Sequence, residues 1–192
     1  MNRALAIPAF FSLLMVSVPA SAETVVPVRH FEGIELRGGG HVILKYGNRQ
    51  QVTLVSGSMR YTRFTNDSGE PGKLVIDTCN SECPWHYDME VVITSPSFPA
   101  VAISGGGAID SQGNFPGQRQ VTAAVNGGGH IDIRSIGAAS ATAAVDGGGK
   151  ILLRTRDELT ASINGGGHIE YWGSPRNVTK AIDGGGEVSQ GG

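Results

Sequence analysis

The sequence predicts an all-β protein folded as a parallel β-helix, a solenoid with coils of about 20 residues. Glycine supplies 29 of the 192 residues, roughly twice its ordinary share. Six glycine triplets begin at positions 38, 105, 127, 147, 165 and 184, so the last five recur about every 20 residues, which is typical of a solenoid. The triplets consist of Gly38, Gly39, Gly40, Gly105, Gly106, Gly107, Gly127, Gly128, Gly129, Gly147, Gly148, Gly149, Gly165, Gly166, Gly167, Gly184, Gly185 and Gly186.

The residues around each triplet alternate between aliphatic side chains and small or polar ones. This period of two indicates β-strands, because successive side chains of a strand point to opposite faces. Coils stacked about 4.8 Å apart would place equivalent aliphatic residues in ladders inside the solenoid. The ladder before the triplets is predicted to contain Ile103, Val125, Val145, Ile163 and Ile182. The ladder after the triplets is predicted to contain Ile109, Ile131, Ile151, Ile169 and Val188.

The glycine triplets are expected to mark the corners of the coils. A stacked corner needs backbone angles or close approaches that a Cβ atom forbids. In the alternative interpretation, the triplets form a strip of bare backbone that a ligand or partner strand can approach. The residues just before the triplets predict a polar ladder along one corner. This ladder contains Ser104, Asn126, Asp146, Asn164 and Asp183.

Residues 1–22 are expected to form a secretory signal peptide, which leaves residues 23–192 as a single β-helix domain. Arg3 precedes an apolar stretch over residues 4–18, and Ala20-Ser21-Ala22 has the small-x-small pattern of a cleavage site. The apolar stretch is shorter than the ~20 residues that span a bilayer. We therefore expect an exported protein of the periplasm, the cell surface or the extracellular space, with no membrane span after cleavage.

Two segments between the first and second triplets depart from the repeat. Residues 57–73 and 77–88 are predicted to project from the coils as loops. The second loop contains Cys79 and Cys83, which predict a local disulfide in an oxidising compartment. The alternative is a metal site formed by both cysteines and His86, because a Cys-x₃-Cys spacing falls within the range of zinc ligands.

The same loop carries the candidate ligand-binding residues. Trp85, His86 and Tyr87 are consecutive, and rings with a polar atom are common at binding surfaces. An exposed spot of this kind would contact a ligand directly. The three side chains are equally suited to cap the side of the solenoid.

Composition and the outward columns predict no catalytic residue, no cofactor and no metal site. The chain has 15 Lys and Arg against 17 Asp and Glu, so it lacks the basic surface of a nucleic-acid-binding protein. His130 and His168 share an outward column but lie two coils, about 9.6 Å, apart, which is too far for one metal ion. The neighbouring column, which Leu152 interrupts, contains Asp110, Asp132 and Glu170.

The order of motifs along the chain resembles that of a known family. Phe31-Glu32-Gly33-Ile34-Glu35-Leu36 is followed by Gly39-Gly40-His41-Val42-Ile43-Leu44, and later by units such as Ser104-Gly105-Gly106-Gly107-Ala108-Ile109. Over residues 28–190 the chain resembles the auto-transporter adhesin head domain family, also called the GIN domain family. The family usually carries Gly-Ser-Gly or Gly-Ala-Gly where this chain has Gly-Gly-Gly. The resemblance implies a right-handed parallel β-helix, an exported bacterial protein and no assigned catalysis.

Together these features predict a non-enzymatic protein of the envelope or cell surface, an adhesin-like binding or structural module. Its partner would be an envelope glycan or an envelope protein. One alternative is a metal- or redox-responsive envelope module that uses the loop of Cys79 and Cys83. The other is a polysaccharide-active β-helix enzyme, which requires clustered charges in an outer groove. The charges in question are Arg134, Arg154, Arg156, Asp132 and Glu170.

Overall fold

The computed structural model describes residues 23–67, 72–79 and 83–192. These residues form fifteen strands in one sheet and no helix, which confirms the all-β prediction. The described residues therefore contain no helix that is long and apolar enough to cross a membrane. The predicted signal peptide, residues 1–22, lies outside the described residues. The strands are β1 Thr24–Val26, β2 Gly33–Gly38, β3 His41–Tyr46, β4 Gln51–Ser56, β5 Thr62–Asp67, β6 Lys73–Thr78, β7 Glu90–Ser95, β8 Ala100–Gly105, β9 Ala108–Gln112, β10 Gln118–Gly127, β11 His130–Gly147, β12 Lys150–Gly165, β13 His168–Trp172, β14 Asn177–Asp183 and β15 Glu187–Gln190.

Successive repeats lie side by side as parallel strands, with equivalent residues in register. β8, β10, β11, β12 and β14 pair in that order. Val125 pairs with Ile103 on one side and with Val145 on the other, so the offset between partners is one repeat. The triplet periodicity therefore predicts the strand register correctly.

The two predicted aliphatic ladders form the centre of the core. In the first ladder, the exposed fraction is 1% for Ile103, 2% for Val125 and Val145, and 3% for Ile163. In the second ladder, the residues that are fully buried are Ile109, Ile131, Ile151 and Ile169. Burying each of these side chains contributes about 1.5–3 kcal/mol relative to exposure, so stacked repeats stabilise one another.

Ile182 is the member of the first ladder for which the prediction is wrong. It pairs with Ile163, but its side chain is 45% exposed, and all seven residues of β14 are exposed. A strand with one paired neighbour leaves one flank of its side chains without cover from the stack, although Val188 on β15, which also has one partner among the described strands, is only 7% exposed. Within the described residues, β14 pairs with β12 alone.

The other end of the sheet contains antiparallel pairs. β1 pairs with β4, β4 with β7, and β5 with β6. The segment 57–73, predicted as a projecting loop, therefore contains a strand, in which Phe64 lies opposite Ile76. The predicted loop 77–88 likewise begins within β6. Residues 68–71 and 80–82 of these segments lie outside the described residues.

Two of the three glycines in a triplet are required by their surroundings. Gly147 has a φ of +116°, and a Cβ atom there would lie 2.7 Å from the carbonyl oxygen of Gly127. A Cβ atom on Gly149 would overlap the side chain of Val125. On the exposed Gly148, a Cβ atom would meet nothing within 4 Å. Close approach between neighbouring repeats thus accounts for the first and third glycines, and the middle glycine leaves backbone bare at the surface.

Candidate functional site

The loop that contains Cys79 and Cys83, here called the cysteine loop, carries an exposed aromatic side chain. Cys79 and Cys83 form the predicted disulfide, and bonded sulfurs cannot serve as the thiolate ligands of a metal. The thiolate metal site with His86 therefore does not apply to the bonded pair. Trp85 is 93% exposed, and its ring packs edge-on against His86 with 6.3 Å between ring centroids.

The Tyr87 side chain is held in place by hydrogen bonds and does not project freely into solvent. Its hydroxyl oxygen accepts hydrogen bonds from the Ser58 backbone N–H and the Thr62 hydroxyl, both at 2.7 Å, and it donates to the Ser58 carbonyl oxygen at 3.0 Å. Its ring packs edge-on against Tyr61, with centroids 5.3 Å apart. Tyr87 fixes the path of residues 57–62. Of the three candidate ligand-binding residues, Trp85 and His86 are therefore the exposed ones.

A polar groove of about 720 Å³ crosses the outer face near β9, β11, β12 and β13. We call this feature the Arg134 groove. Neither Trp85 nor His86 lines it, so the loop and the groove are separate surfaces. The side chains that give the groove its chemistry are Asn114, Phe115, Asp132, Arg134, Arg154 and Trp172.

Arg134 lies where the register between β11 and β12 shifts. Pairing between β11 and β12 is regular as far as Asp132 and resumes at Gly137. Irregularities of this kind re-aim side chains and are frequent beside binding sites. The guanidinium carbon of Arg134 lies 4.7 Å from the ring centroid of Trp172, a cation–π arrangement. Trp172 is held in turn, because its Nε1–H donates to the Gly192 carbonyl oxygen at 3.0 Å.

Asp132 and Arg134 form an ion pair at the edge of the groove. Arg134 Nε donates to Asp132 Oδ1 at 2.9 Å. Burial raises the pKa of the Asp132 carboxyl, but hydrogen bonds from the side chain and backbone of Arg134, with the charges of Arg134 and His130, lower it below its usual range. The hydrogen bond to Asp132 raises the pKa of Arg134. Both groups are therefore charged at neutral pH.

Arg154 supplies the second guanidinium group of the groove. It is exposed, and no carboxylate in the described part of the chain forms an ion pair with it. A guanidinium fork matches the geometry of carboxylate, sulfate or phosphate oxygens. Of the charges that the enzyme alternative requires, Asp132, Arg134 and Arg154 line the groove, whereas Arg156 and Glu170 do not.

A second outward surface runs along β8, β10, β11, β12 and β14 as a shallow groove of about 470 Å³. The predicted polar ladder borders it, and its members pair in register. Asn164 Nδ2 donates to Asp146 Oδ1 at 3.2 Å within this ladder. The neighbouring outward column consists of Ala102, Ala124, Ala144, Ser162 and Ala181. Side chains this short give a flat face, so the Arg134 groove is the better candidate site.

Three potential metal ligands lie beside the Arg134 groove. One ligand atom each from Asp110, His130 and Asp132 lies within 4.8 Å of the other two. The repeat period predicts that Asp110 and Asp132 are neighbours, and their register pairing confirms it. His130 belongs to the adjacent column, and neither column alone predicts that its imidazole lies close to the two carboxylates.

The comparisons with known proteins agree with the sequence resemblance. A family model described as "Putative auto-transporter adhesin, head GIN domain" matches residues 30–121 and 116–175, which is more than half of the chain. None of the curated proteins is significantly similar to the chain by sequence.

Solved structures of low sequence identity are also similar. A "putative adhesin" from Bacteroides fragilis is 15% identical, with 88% of this chain and 96% of that chain covered and a TM-score of 0.52. A "putative adhesin" from Parabacteroides merdae is 14% identical, with coverages of 89% and 96% and a TM-score of 0.41. A "putative cell adhesion protein" from Clostridium sporogenes is 12% identical, with coverages of 88% and 98% and a TM-score of 0.45. The likeness to the first establishes a shared fold alone.

Proposed function

The chain belongs to the family of auto-transporter adhesin head domains known as GIN domains, and on this premise we propose that it is an exported, non-enzymatic, adhesin-like binding module. Its place would be the periplasm or the surface of a bacterial cell. Export would use residues 1–22 as a cleaved signal peptide and leave residues 23–192 as the mature domain. The disulfide between Cys79 and Cys83 supports an oxidising compartment.

We also infer that the sheet is a right-handed parallel β-helix. The parallel pairing of β8, β10, β11, β12 and β14 at an offset of one repeat supports this architecture. The rigidity of such a rod would hold the Arg134 groove in a fixed shape, which lowers the entropic cost of binding.

The ligand that we infer for the Arg134 groove is an acidic glycan. The observation that carries this inference is the pair of guanidinium groups at one polar groove, with Arg134 held over Trp172 and Arg154 lacking a carboxylate partner in the described residues. A uronate or sulfate group on the glycan would supply the missing anion in bidentate geometry. Asn114 offers an amide to sugar hydroxyls at the same groove.

Calorimetric titration of the full chain with tetragalacturonate and with galactotetraose, a neutral sugar of the same length, tests this proposal. We expect the acidic sugar to bind more tightly and its affinity to fall as salt is added. Arg154→Gln should weaken binding by about 10- to 100-fold, because a hydrogen bond to a charged group contributes about 1.5–3 kcal/mol. Arg156→Gln is the matched control, since Arg156 is exposed two residues further along β12 and outside the groove.

Three results would contradict the proposal. Equal binding of the two sugars would show that charge does not determine binding. A loss of affinity in Arg156→Gln equal to that in Arg154→Gln would show that the groove is not the binding site. Loss of binding in Trp85→Ala with full binding in Arg154→Gln would place the site in the cysteine loop. Chromatography of the recovered sugar distinguishes the enzyme alternative, because a binding module returns the tetrasaccharide uncut.

A further inference from the structure

We propose that Asp110, His130 and Asp132 form a binding site for a divalent transition metal, with zinc as the ion that suits them. This goes beyond the proposed glycan binding, because it requires no sugar. Zinc in proteins is held by imidazole nitrogen and carboxylate oxygen at about 2.0–2.2 Å. In the tetrahedral geometry that zinc prefers, two such ligands lie about 3.4 Å apart, and these three ligand atoms lie within 4.8 Å of one another. Side-chain rotations that bring the ligand atoms closer by at most about 1.4 Å therefore close the site.

The sheet brings the three ligands together from two neighbouring strands. Asp110 on β9 is the register partner of Asp132 on β11. His130 precedes Asp132 by two residues, so both side chains leave the same face of the strand. The register partner of His130 on β9 is Ala108, whose small side chain leaves room beside the imidazole. All three ligands are half-buried, so an ion can enter from solvent and is partly shielded from it.

Surrounding groups orient the carboxylates. His41 Nε2 donates a hydrogen bond to Asp110 Oδ2 at 2.7 Å, and Glu90 lies on the other side of that imidazole, with Oε2 3.9 Å from Nδ1. Asp132 is fixed by Arg134, as described above. Partners of this kind around metal ligands hold them in place and tune affinity. The carboxylates of Asp110 and Asp132 thus have defined positions before an ion arrives.

The next repeats do not reproduce this arrangement. Along β12 the position equivalent to His130 is Lys150, and the position equivalent to Asp132 is Leu152. On β13 the equivalent pair is His168 and Glu170, but Glu170 also lies 3.5 Å from the Lys150 ammonium. A cation and an aliphatic side chain separate the two histidines of the column. His168 therefore lies in the same column as His130 and has a carboxylate beside it, but it is outside the proposed site, which makes it a suitable control.

Titration of zinc into the untagged full chain, followed by calorimetry, tests the proposal. We expect one zinc ion to bind per chain. Asp110→Asn and His130→Gln should each weaken binding at least tenfold, because each removes one ligand. His41→Gln should weaken it by about 10- to 100-fold, the usual effect of losing an outer partner of a metal ligand. His168→Gln is the matched control and should bind zinc as the wild-type chain does.

Absence of zinc binding in the wild-type chain would overturn the proposal. So would unchanged affinity in both Asp110→Asn and His130→Gln, or an equal loss in His168→Gln. Unfolding temperatures measured without zinc identify any variant that fails to fold. Cobalt provides a second measurement, since the visible absorption of bound Co²⁺ reports its ligands. That spectrum should change in His130→Gln and stay the same in His168→Gln, and the reverse pattern would also overturn the assignment.

Discussion

The Lys73 ammonium donates a hydrogen bond of 2.5 Å to Glu35 Oε2 across the paired strands β6 and β2. Arg37 Nε donates to Oε1 of the same carboxylate at 2.7 Å, and the Ser104 hydroxyl donates to it at 3.2 Å. Glu35 is only 8% exposed. A carboxylate at this depth is tolerated because two cations and a hydroxyl replace its water, and removing them would leave a destabilising buried charge.

This arrangement predicts a loss of stability in acid. The hydrogen bond from Arg37 is the largest cause that lowers the pKa of Glu35 from 4.5 to about 2, with Lys73 adding to it against the effect of burial. Ionised Glu35 therefore stabilises the fold above pH 4.5 by about 3 kcal/mol, and this contribution is lost as the pH falls towards about 2. We expect Glu35→Gln to lower the unfolding temperature at neutral pH and to flatten its decline in acid. Glu32→Gln, at an exposed position, is the control, and an identical pH profile for wild-type and Glu35→Gln chains would contradict the assignment.

The glycine triplets predict a contrast within three consecutive residues. Gly147→Ala places a Cβ atom 2.7 Å from the Gly127 carbonyl oxygen, at a φ of +116°, and should cost at least about 1–2 kcal/mol. Gly149→Ala pushes into the side chain of Val125 and should cost about 1–3 kcal/mol. Gly148→Ala meets nothing and should leave stability nearly unchanged. Denaturant unfolding of the three variants measures this order, and equal losses at all three positions would show that the triplet is not constrained by packing between neighbouring repeats.

The first aliphatic ladder predicts a severe defect when a charge enters it. Val145 is 2% exposed and lies between Val125 and Ile163 in the paired strands. Val145→Asp buries a carboxylate with no partner, which costs several kcal/mol, so we expect the loss of cooperative thermal unfolding. Lys150→Ala is the control, because that side chain is 43% exposed and its ion pair lies at the surface. An unchanged unfolding temperature in Val145→Asp would place the residue outside the core.

The parts of the fold that are predictable from the sequence are those that the repeat itself determines. Val125 and Val145 pair as their spacing from the triplets predicts, because parallel strands one repeat apart keep a constant offset. Ile182 breaks the prediction, because the spacing does not tell which side chains of the last repeat are covered: Ile182 on β14 is exposed and Val188 on β15 is buried, although each strand has one partner in the described residues. β5 is not predicted, because its alternating pattern of Thr62 and Phe64 includes polar residues and falls where the repeat is interrupted.

The candidate site was less predictable for a related reason. Arg134, Arg154 and Trp172 follow their triplets at the same spacing, but a constant period does not predict the shift in β11–β12 pairing after Asp132 or the contact of Arg134 with the Trp172 ring. The proposed metal site combines ligands from two columns. Within one column the two histidines lie far apart, and in the other Leu152 interrupts the row of carboxylates. The cluster forms between the columns, because His130 lies diagonally from Asp110.

The end of the sheet at β14 carries a charged residue in an inward column. The column of Ala123, Ala143 and Ala161 is buried, and the partner of Ala161 on β14 is Lys180. Lys180 Nζ donates to the Val188 carbonyl oxygen at 2.8 Å and lies 5.7 Å from the centroid of the Tyr171 ring. Inward-pointing lysines are one device by which sheets discourage pairing at an open edge.

We therefore expect Lys180→Leu to promote self-association of the chain through β14. The change extends the apolar surface that Val178 and Ile182 already expose on this strand, at 38% and 45%, and it removes the charge that opposes strand pairing. Sedimentation velocity over a range of concentrations should show larger species than in the wild-type chain, whereas Lys180→Arg should behave as wild type. Thr179→Leu adds a similar apolar group to the adjacent outward column and is the control for hydrophobicity alone. If Thr179→Leu associates as strongly as Lys180→Leu, or if a folded Lys180→Leu does not associate, then Lys180 has no protective role at this edge.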